Sequence, residues 1–167
     1  MQEITYQELT MNPMTLIGNE WMLITAGNES EGYNSMTASW GHLGFIWGKP
    51  TSVIYIRPQR YTKEFVDREE IYTLTVFSED YKKALSYLGS HSGRDEDKVA
   101  KVGLTPIFED NYTYFAEAKL TLVCRKLYRA PLSEEGFLDK KVLDSCYPEH
   151  DFHDMYVGEI LKVLVNE

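Results

Sequence analysis

The stretch Asn34-Ser35-Met36-Thr37-Ala38-Ser39-Trp40 decides how the rest of this 167-residue chain is interpreted. In a strand, alternate side chains point to opposite faces, so Ser35, Thr37 and Ser39 would share one face. The other face would carry Asn34, Met36, Ala38 and Trp40. Small side chains and a row of hydroxyl groups would let a flat ligand approach the strand and form hydrogen bonds with it. Taken alone, the stretch also fits an ordinary sheet strand with a solvated hydroxyl face.

Size and composition indicate a single domain that covers residues 1–167 and buries a substantial core. Hydrophobic residues make up 43% of the chain, and its 12 Tyr, 7 Phe and 3 Trp favour a β-rich fold or an aromatic-lined pocket. The net charge of −9 argues against nucleic acid or an anionic membrane as a partner. A small anion could still bind where basic residues gather.

Two further features favour a soluble cytoplasmic protein. Cys124 and Cys146 show neither a metal-binding spacing nor a disulfide pattern, which indicates a reducing compartment. Met1 leads into polar residues, and the chain contains no apolar stretch of about 18 residues, so we expect neither export nor a membrane span.

The predicted elements follow the order β-β-β-α-β-α-α-β-β, which indicates a mainly β fold, a barrel or strongly curled sheet with helices on its outside. Apolar runs and alternating patterns predict strands at residues 21–26, 33–40, 51–56, 71–78, 112–129 and 155–165. Capping residues and apolar stripes predict helices at residues 62–68, 79–88 and 95–103, with Thr62 and Asp95 as N-caps of the first and third. Residues 41–50, which contain three glycines, are predicted to form a loop, and a short helix is predicted near residues 140–143.

Basic residues are scarce, and one group of them follows the third predicted strand. Arg57, Arg60 and Lys63 lie within seven positions of each other. Two guanidinium groups, the Thr62 hydroxyl and the N–H groups of a helix start would together form a phosphate site. The alternative is a solvated basic corner whose ion pairs contribute little to stability.

The stretch 90–98 is a second candidate anion site, because it places Ser90, Ser92, Arg94 and Lys98 around a predicted helix start. Its acidic residues at 95–97 offer an alternative interpretation. They would cap the helix and pair with the neighbouring basic side chains, which would then be unavailable to a ligand.

A third group, His150-Asp151-Phe152-His153-Asp154, precedes the last predicted strand. Its spacing matches no strong metal signature, so we predict no metal site and interpret the histidines as hydrogen-bonding or pocket-edge residues. The sequence contains no P-loop, nucleophile elbow or G-x-G-x-x-G motif, and no pair of acidic residues is singled out by spacing. The catalytic residues therefore stay unassigned.

Four motifs in register resemble the flavin reductase-like proteins with an FMN-binding split β-barrel, a family that includes the flavoredoxins. Residues 34–40 resemble its N-x-M-T-x-S-W strand, and residues 57–62 its R-x-x-R-x-T phosphate segment. Residues 90–98 resemble its S-x-S-G-R-D-x-D-K loop, and residues 153–160 its final H-x-x-(apolar)-V-G-E-(apolar) strand. Segments 41–50 and 130–150 match poorly, and we expect substrate choice to be decided there.

The resemblance implies an FMN cofactor and a homodimer with flavin sites at the subunit interface. It implies that FMN is bound by Asn34, Ser35, Met36, Thr37, Ala38, Ser39, Trp40, Arg57, Arg60, Thr62, Ser90, Ser92, Arg94, Lys98 and His153. Within this set, the strand 34–40 would contact the flavin, and Arg57, Arg60 and Thr62 would hold its phosphate. Residues 90–98 would close over the flavin or its phosphate, and His153, from this chain or from the partner subunit, would lie near the ring.

The resemblance leaves two functions open. The first is an NAD(P)H-dependent oxidoreductase that reduces flavin or a small acceptor by hydride transfer through flavin N5. The second is a flavoredoxin-type electron carrier that passes electrons to a redox protein partner without direct NAD(P)H oxidation, which the acidic net charge would suit if the partner is basic. A third interpretation, from the residues alone, is a β-barrel without catalytic activity.

Overall fold

The computed structural model describes residues 1–166, which form ten strands and five α-helices. The strands are β1 (Gln2–Ile4), β2 (Met22–Asn28), β3 (Gly32–Ala38), β4 (Gly41–Ile46), β5 (Lys49–Ile56), β6 (Ile71–Val76), β7 (Pro106–Phe108), β8 (Thr113–Phe115), β9 (Leu120–Pro131) and β10 (Asp154–Val165). The helices are α1 (Pro13–Thr15), α2 (Thr62–Arg68), α3 (Lys82–Ser90), α4 (Lys98–Val102) and α5 (Lys140–Cys146). A π-helical turn, Leu16–Glu20, follows α1, and 3-10 turns lie at Tyr6–Glu8, Glu79–Tyr81 and Glu134–Gly136.

One antiparallel sheet contains most of the strands. Its order is β3-β2-β6-β9-β10-β5-β4, with β1 added against β10, while β7 and β8 pair with each other. The helices lie around this sheet, so the prediction of a mainly β fold with peripheral helices is confirmed. The longest of these helices, α3, has nine residues, and no described helix is long and apolar enough to cross a membrane.

A two-residue connection forces the sheet to curl. β3 and β4 lie at opposite ends of the strand order, yet only Ser39 and Trp40 separate them along the chain. Such a link spans about 10 Å at most. The two ends of the sheet must therefore lie side by side, although no strand pairing joins β3 to β4 among the described residues. The result is a barrel that stays open along one seam.

The core has two main parts, one inside the barrel and one under the helices. The interior cluster includes Ile24, Met36, Ile54, Leu74 and Leu122. The second cluster includes Leu23, Leu85, Leu88, Val99 and Phe115, and it packs α3 and α4 onto the outside of the sheet. β2 contributes to both clusters and is buried on both faces, which explains why residues 21–26 read as a continuous apolar run rather than an alternating one.

The predicted loop at residues 41–50 is wrong, because this segment forms a hairpin of β4 and β5. Its turn consists of Trp47 and Gly48, with φ angles of 55° and 71°. Positive φ at both central residues defines a type I′ turn, whose twist matches that of the flanking strands. The sequence signal was Gly48 at the second turn position, but Trp47 is an unusual residue for the first because of its bulk.

Three boundaries also differ from the predictions. The long strand at residues 112–129 is interrupted, because the chain turns at Ala116–Glu117 between β8 and β9. Asp97, not Asp95, caps α4, since its side chain accepts a hydrogen bond from the backbone N–H of Ala100 at 3.0 Å. Thr62 is the first residue of α2 rather than its N-cap.

Gly158 lets β10 pack against a buried tyrosine ring. A Cβ atom at this position would lie 2.3 Å from the Tyr72 hydroxyl oxygen and 2.8 Å from its Cζ. Tyr72 is 1% exposed, and its hydroxyl is 2.7 Å from Ser52 Oγ, so the ring has little freedom to move away. We expect Gly158→Ala to lower the free energy of unfolding by about 1–3 kcal/mol, measured by urea denaturation.

Gly44→Ala is the matched control for this prediction. Gly44 lies in β4, and a Cβ atom there would meet no heavy atom within 4 Å. We expect this variant to be as stable as the wild type or slightly more stable, because alanine reduces the entropy of the unfolded chain. Equal stability of the two variants would contradict the packing argument.

Candidate functional site

A groove runs along the open seam of the barrel, beside β3. It consists of three cavities of about 400, 230 and 160 Å³ that share Arg60 in their walls. We call the end lined by Trp40, Tyr55 and His153 the aromatic end. We call the end formed by Arg60, Lys98 and residues 90–93 the basic end.

The basic end contains two cations that contact backbone oxygens. Arg60 donates from Nη1 to the Gly89 carbonyl at 2.8 Å. Lys98 is 4% exposed and donates from Nζ to the carbonyls of Leu88, at 2.8 Å, and His91, at 3.0 Å. Neither side chain forms an ion pair with a described carboxylate. Two positive charges are therefore left without a counter-charge in one part of the groove.

Burial makes both charges costly. It lowers the pKa of Lys98 to about 8, with a further lowering by Arg60 and a partial reversal by Glu96. Burial also lowers the pKa of Arg60, and the nearby Arg57 adds to this effect. A bound anion would act in the opposite direction, because an opposite charge stabilises the protonated form. The basic end thus has the electrostatic character of an anion site.

The loop that follows α3 is fixed to β3 by a close backbone approach. A Cβ atom at Gly93 would lie 2.1 Å from Asn34 Oδ1, so only glycine fits there without displacing the loop. Asn34 in turn donates from Nδ2 to Thr62 Oγ1 at 2.8 Å. This contact connects β3, the start of α2 and the 90–93 loop, which together form the walls of the smallest cavity.

The sequence-predicted residues of the 90–98 stretch have different positions. Ser90, Ser92 and Lys98 line the smallest cavity. Ser90 already donates its hydroxyl to the Ser86 carbonyl at 3.0 Å, and Ser92 Oγ accepts from the Arg94 backbone N–H at 3.2 Å. Arg94 is not a lining residue of the three groove cavities. It pairs with Glu64, and its guanidinium lies over the ring of Tyr61.

Arg57 contacts the segment after α5, and its predicted contact with the flavin phosphate stays a prediction. Its guanidinium donates to the Cys146 carbonyl at 2.8 Å, pairs with Asp151 and lies 5.1 Å from the centroid of the Tyr147 ring. It still lines the largest groove cavity. Arg57 therefore holds the segment after α5 against the aromatic end, while Arg60 belongs to the basic end.

His153 is the central side chain of the aromatic end. It is 7% exposed, its Nδ1 is 2.7 Å from the Tyr147 hydroxyl, and its ring centroid lies 5.1 Å from that of Trp40. Burial, aided by Arg57 and opposed by Asp151, lowers the pKa of His153 to about 4. The imidazole is thus neutral at pH 7. The other histidine of its motif, His150, lies 3.3 Å from Glu134 instead.

The hydroxyl row predicted for residues 34–40 is only partly covered. Ser35 is fully buried and hydrogen-bonded to Thr25 Oγ1 at 2.8 Å, so the expected open row is wrong for this side chain. Thr37 donates to the Leu85 carbonyl of α3, but it is only half-buried and still lines two of the groove cavities. β3 ends at Ala38, so Ser39 lies in the link and keeps its side chain exposed.

The opposite face of β3 belongs to the core and to the groove. Met36 and Ala38 are in the interior cluster, and both line the largest groove cavity together with Trp40. Direct contacts of residues 34–40 with a flavin stay a prediction. If Ser35 takes part, its backbone must do so, since its hydroxyl has a partner.

Several groove residues were not among the predicted site residues. These are Tyr55, Gln59, Tyr61, His91 and Gly93. Tyr55 precedes Arg57 by two positions in an extended segment, so the period of a strand could have placed both on one side. Gly93 was quoted within its motif, but its contact with Asn34 depends on two segments that are distant in sequence.

We expect His153 to make folding sensitive to acid. Its folded pKa of about 4 lies below the usual value of 6.5, so the unfolded chain binds one more proton between these pH values. The free energy of unfolding should therefore decrease as the pH falls from 6.5 to 4, by up to about 3 kcal/mol from this group. Urea denaturation of wild type and His153→Gln across this range isolates the effect. Parallel stability curves for the two proteins would contradict it.

Comparisons with known proteins agree on one family. A family profile described as "Flavin reductase like domain" matches residues 14–167. No curated protein matches the sequence.

Similar solved structures share the fold at low sequence identity. A flavoredoxin of Desulfovibrio vulgaris (Miyazaki F) is 23% identical, with a TM-score of 0.68 over 88% of this chain and 69% of that chain. An FMN-binding protein of Thermus thermophilus is 19% identical, with a TM-score of 0.67 over 100% of this chain and 83% of that chain. An NADH:FAD oxidoreductase of Streptomyces globisporus is 15% identical, with a TM-score of 0.65 over 88% of this chain and 75% of that chain.

At these identities the structural similarity establishes the fold, and it confirms the expected barrel. The family assignment rests on the profile match, which covers most of the chain and includes β3, the groove and β10. The chain therefore belongs to the flavin reductase-like domain family.

Proposed function

We propose that this chain is a single FMN-binding domain and a flavin-dependent oxidoreductase. The observation that supports this most directly is the two-ended groove, which combines the unpaired cations Arg60 and Lys98 with an aromatic end. FMN has the matching chemistry, a phosphate at one end and a flat ring system at the other. Similar folds occur in a protein described as FMN-binding and in a flavoredoxin.

The basic end would hold the phosphate of FMN. Arg60 and Lys98 would supply positive charge, and the 90–93 loop, held against Asn34 by Gly93, would supply a fixed wall. Charge-assisted hydrogen bonds of this kind contribute about 1.5–3 kcal/mol each. The phosphate would also offset the cost of burying the two cations, which the lowered pKa values reveal.

The aromatic end would hold the ring system. Bound FMN supplies the hydride- and electron-accepting chemistry that the side chains lack. Trp40, Tyr55 and Met36 would exclude water and orient the ring. His153 would remain uncharged beside it, because burial and Arg57 both oppose its protonation.

Within this proposal we favour NAD(P)H-dependent reduction of flavin or of a small acceptor. The NADH:FAD oxidoreductase among the similar structures and the family assignment support this choice. The alternative is an electron carrier of flavoredoxin type, which the flavoredoxin fold and the net charge of −9 support through docking to a basic protein.

We also propose a homodimer in which the β4–β5 hairpin contributes to the interface. Its tip exposes Phe45 (64%), Ile46 (45%) and Trp47 (57%), and Tyr128 lies 6.2 Å from Trp47 between ring centroids. Monomeric proteins seldom leave such an apolar patch open to water. Sedimentation of the FMN-loaded protein measures this state.

The central experiment is anaerobic mixing of the FMN-loaded protein with NADH or NADPH. We expect the flavin absorbance to bleach within minutes with at least one of them. FMN binding without bleaching would exclude the reductase and favour the electron carrier. A protein that stays colourless and does not bind added FMN would contradict both.

Arg60→Ala tests the position of the phosphate. We expect its dissociation constant for FMN to increase by the equivalent of about 1.5–3 kcal/mol, because the lost bond is charge-assisted. Arg68→Ala is the matched control, since Arg68 lies on α2 outside the groove and pairs with Glu69. Fluorescence titration with FMN measures both. Equal affinities for Arg60→Ala and wild type would place the phosphate elsewhere.

A further inference from the structure

A further cavity adjoins the groove and has no role in the proposed flavin site. Its volume is about 650 Å³, within the range of small-molecule sites. It lies between the turn that follows α1 and the segment around α5. Its apolar lining includes Met14, Ile17, Leu43, Phe137 and Val142.

This cavity opens onto the aromatic end. Ser39, Trp40 and Tyr55 belong to the walls of both the cavity and the largest groove cavity. Tyr147 also lines the apolar cavity, and its hydroxyl contacts Nδ1 of His153. His153 itself lines the groove. A molecule in the cavity would therefore be an immediate neighbour of whatever occupies the aromatic end.

The apolar cavity and the groove differ in the charged side chains that line them. Among the described residues, no Asp, Glu, Lys or Arg side chain lines the apolar cavity. Arg57, whose guanidinium lies 5.1 Å from the ring centroid of the lining residue Tyr147, is already engaged by Asp151 and by the Cys146 carbonyl. His42 also lines the cavity, with its Nδ1 3.4 Å from the Tyr55 hydroxyl, so the lining offers an anion hydroxyl, thiol and imidazole groups but no Lys or Arg side chain. An apolar ring, in contrast, would gain from burial there.

Part of the cavity wall comes from the segment 130–150, where we expect substrate choice to be decided. Leu132, Phe137, Val142, Cys146 and Tyr147 belong to this segment. This segment is held at the groove by Arg57. Two other lining residues, Met14 (78% exposed) and Trp40 (45% exposed), present apolar surface to solvent that a ligand would cover.

We propose that the apolar cavity binds the second substrate of the flavin site, and that this substrate is a neutral, mostly apolar ring compound with one polar group. The inference rests on the proposed flavin function for the meaning of "second substrate", but binding itself does not require FMN. The single polar group would meet the hydroxyls of Ser39, Tyr55 or Tyr147 at the mouth. Charged acceptors and the phosphates of a dinucleotide would stay outside.

The test compares two ring compounds of the same shape and different charge, 2-naphthol and 2-naphthoate. Methyl NMR spectra of the full chain, recorded without FMN and then with FMN added, report binding at Met14, Ile17 and Val142. We expect 2-naphthol to shift these methyl signals and 2-naphthoate to bind at least about tenfold more weakly. The readout needs no turnover, so a failure of the flavin proposal leaves this result interpretable.

Two variants locate the binding. Val142 is 44% exposed on α5, so Val142→Asp introduces a charge into the cavity wall with little effect on the core, and should weaken 2-naphthol binding by about tenfold or more. Leu138→Asp is the control, because Leu138 is 98% exposed, precedes the same helix and does not line the cavity. It should bind 2-naphthol like the wild type.

Three results would overturn the proposal. They are the absence of methyl shifts with 2-naphthol in both the free and the FMN-containing protein, equal binding of 2-naphthoate, and unchanged binding by Val142→Asp. The first would also be the outcome if a second copy of the chain covers the cavity. If the wild-type protein does not bind FMN, the proposed flavin function is contradicted, whereas the proposal that the cavity binds a ring compound is not.

Discussion

The link of two residues between β3 and β4 is the constraint on which the rest of the structure depends. It joins the two ends of the strand order, so the sheet must curl until those ends lie side by side. Because no strand pairing closes the seam among the described residues, edge groups of both strands face a space that side chains and a ligand can enter. The groove is a consequence of this topology, and Ser39 and Trp40 line it because they are the link.

Two positively charged side chains lie along the seam, where burial disfavours their charged forms. Arg60 and Lys98 are partly or fully buried without a carboxylate, although the chain carries 26 acidic residues. Lys63 and Arg129, by contrast, pair with Asp154, whereas the half-buried Lys126 resembles Lys98 in donating to backbone carbonyls, those of Val66 and Asp67. Without a carboxylate partner, Arg60 and Lys98 lower the stability of the fold in this region. Such an arrangement is typical of a site that binds an anion.

Sequence analysis identified the elements whose signal is local. The apolar run of β2, the strand that ends at Ile56 and the helix that starts at Thr62 each depend on a few neighbouring residues. Sequence analysis failed at residues 41–50, where Trp47 adopts a positive φ that hairpin pairing imposes. It also did not identify partners that are distant in sequence, such as Glu64 for Arg94 and the segment after α5 for Arg57. The apolar cavity could not be predicted, since its walls come from segments more than a hundred residues apart in sequence.

The segment 34–40 lies beside the groove, as the sequence predicts, but some of its polar side chains hold neighbouring segments in place. The Thr37 hydroxyl holds α3 in place, because it donates to the Leu85 carbonyl. The helix approaches the strand closely there, since a Cβ atom at Gly89 would lie 3.2 Å from Thr37 Cβ. The first residue of the segment, Asn34, fixes the loop after α3 through Gly93. Both contacts determine where Lys98 and the 90–93 loop stand relative to Arg60. The polar side chains of this strand therefore position the helix and the loop that form the basic end, and Asn34 and Thr37 also line the groove together with Met36, Ala38 and the link.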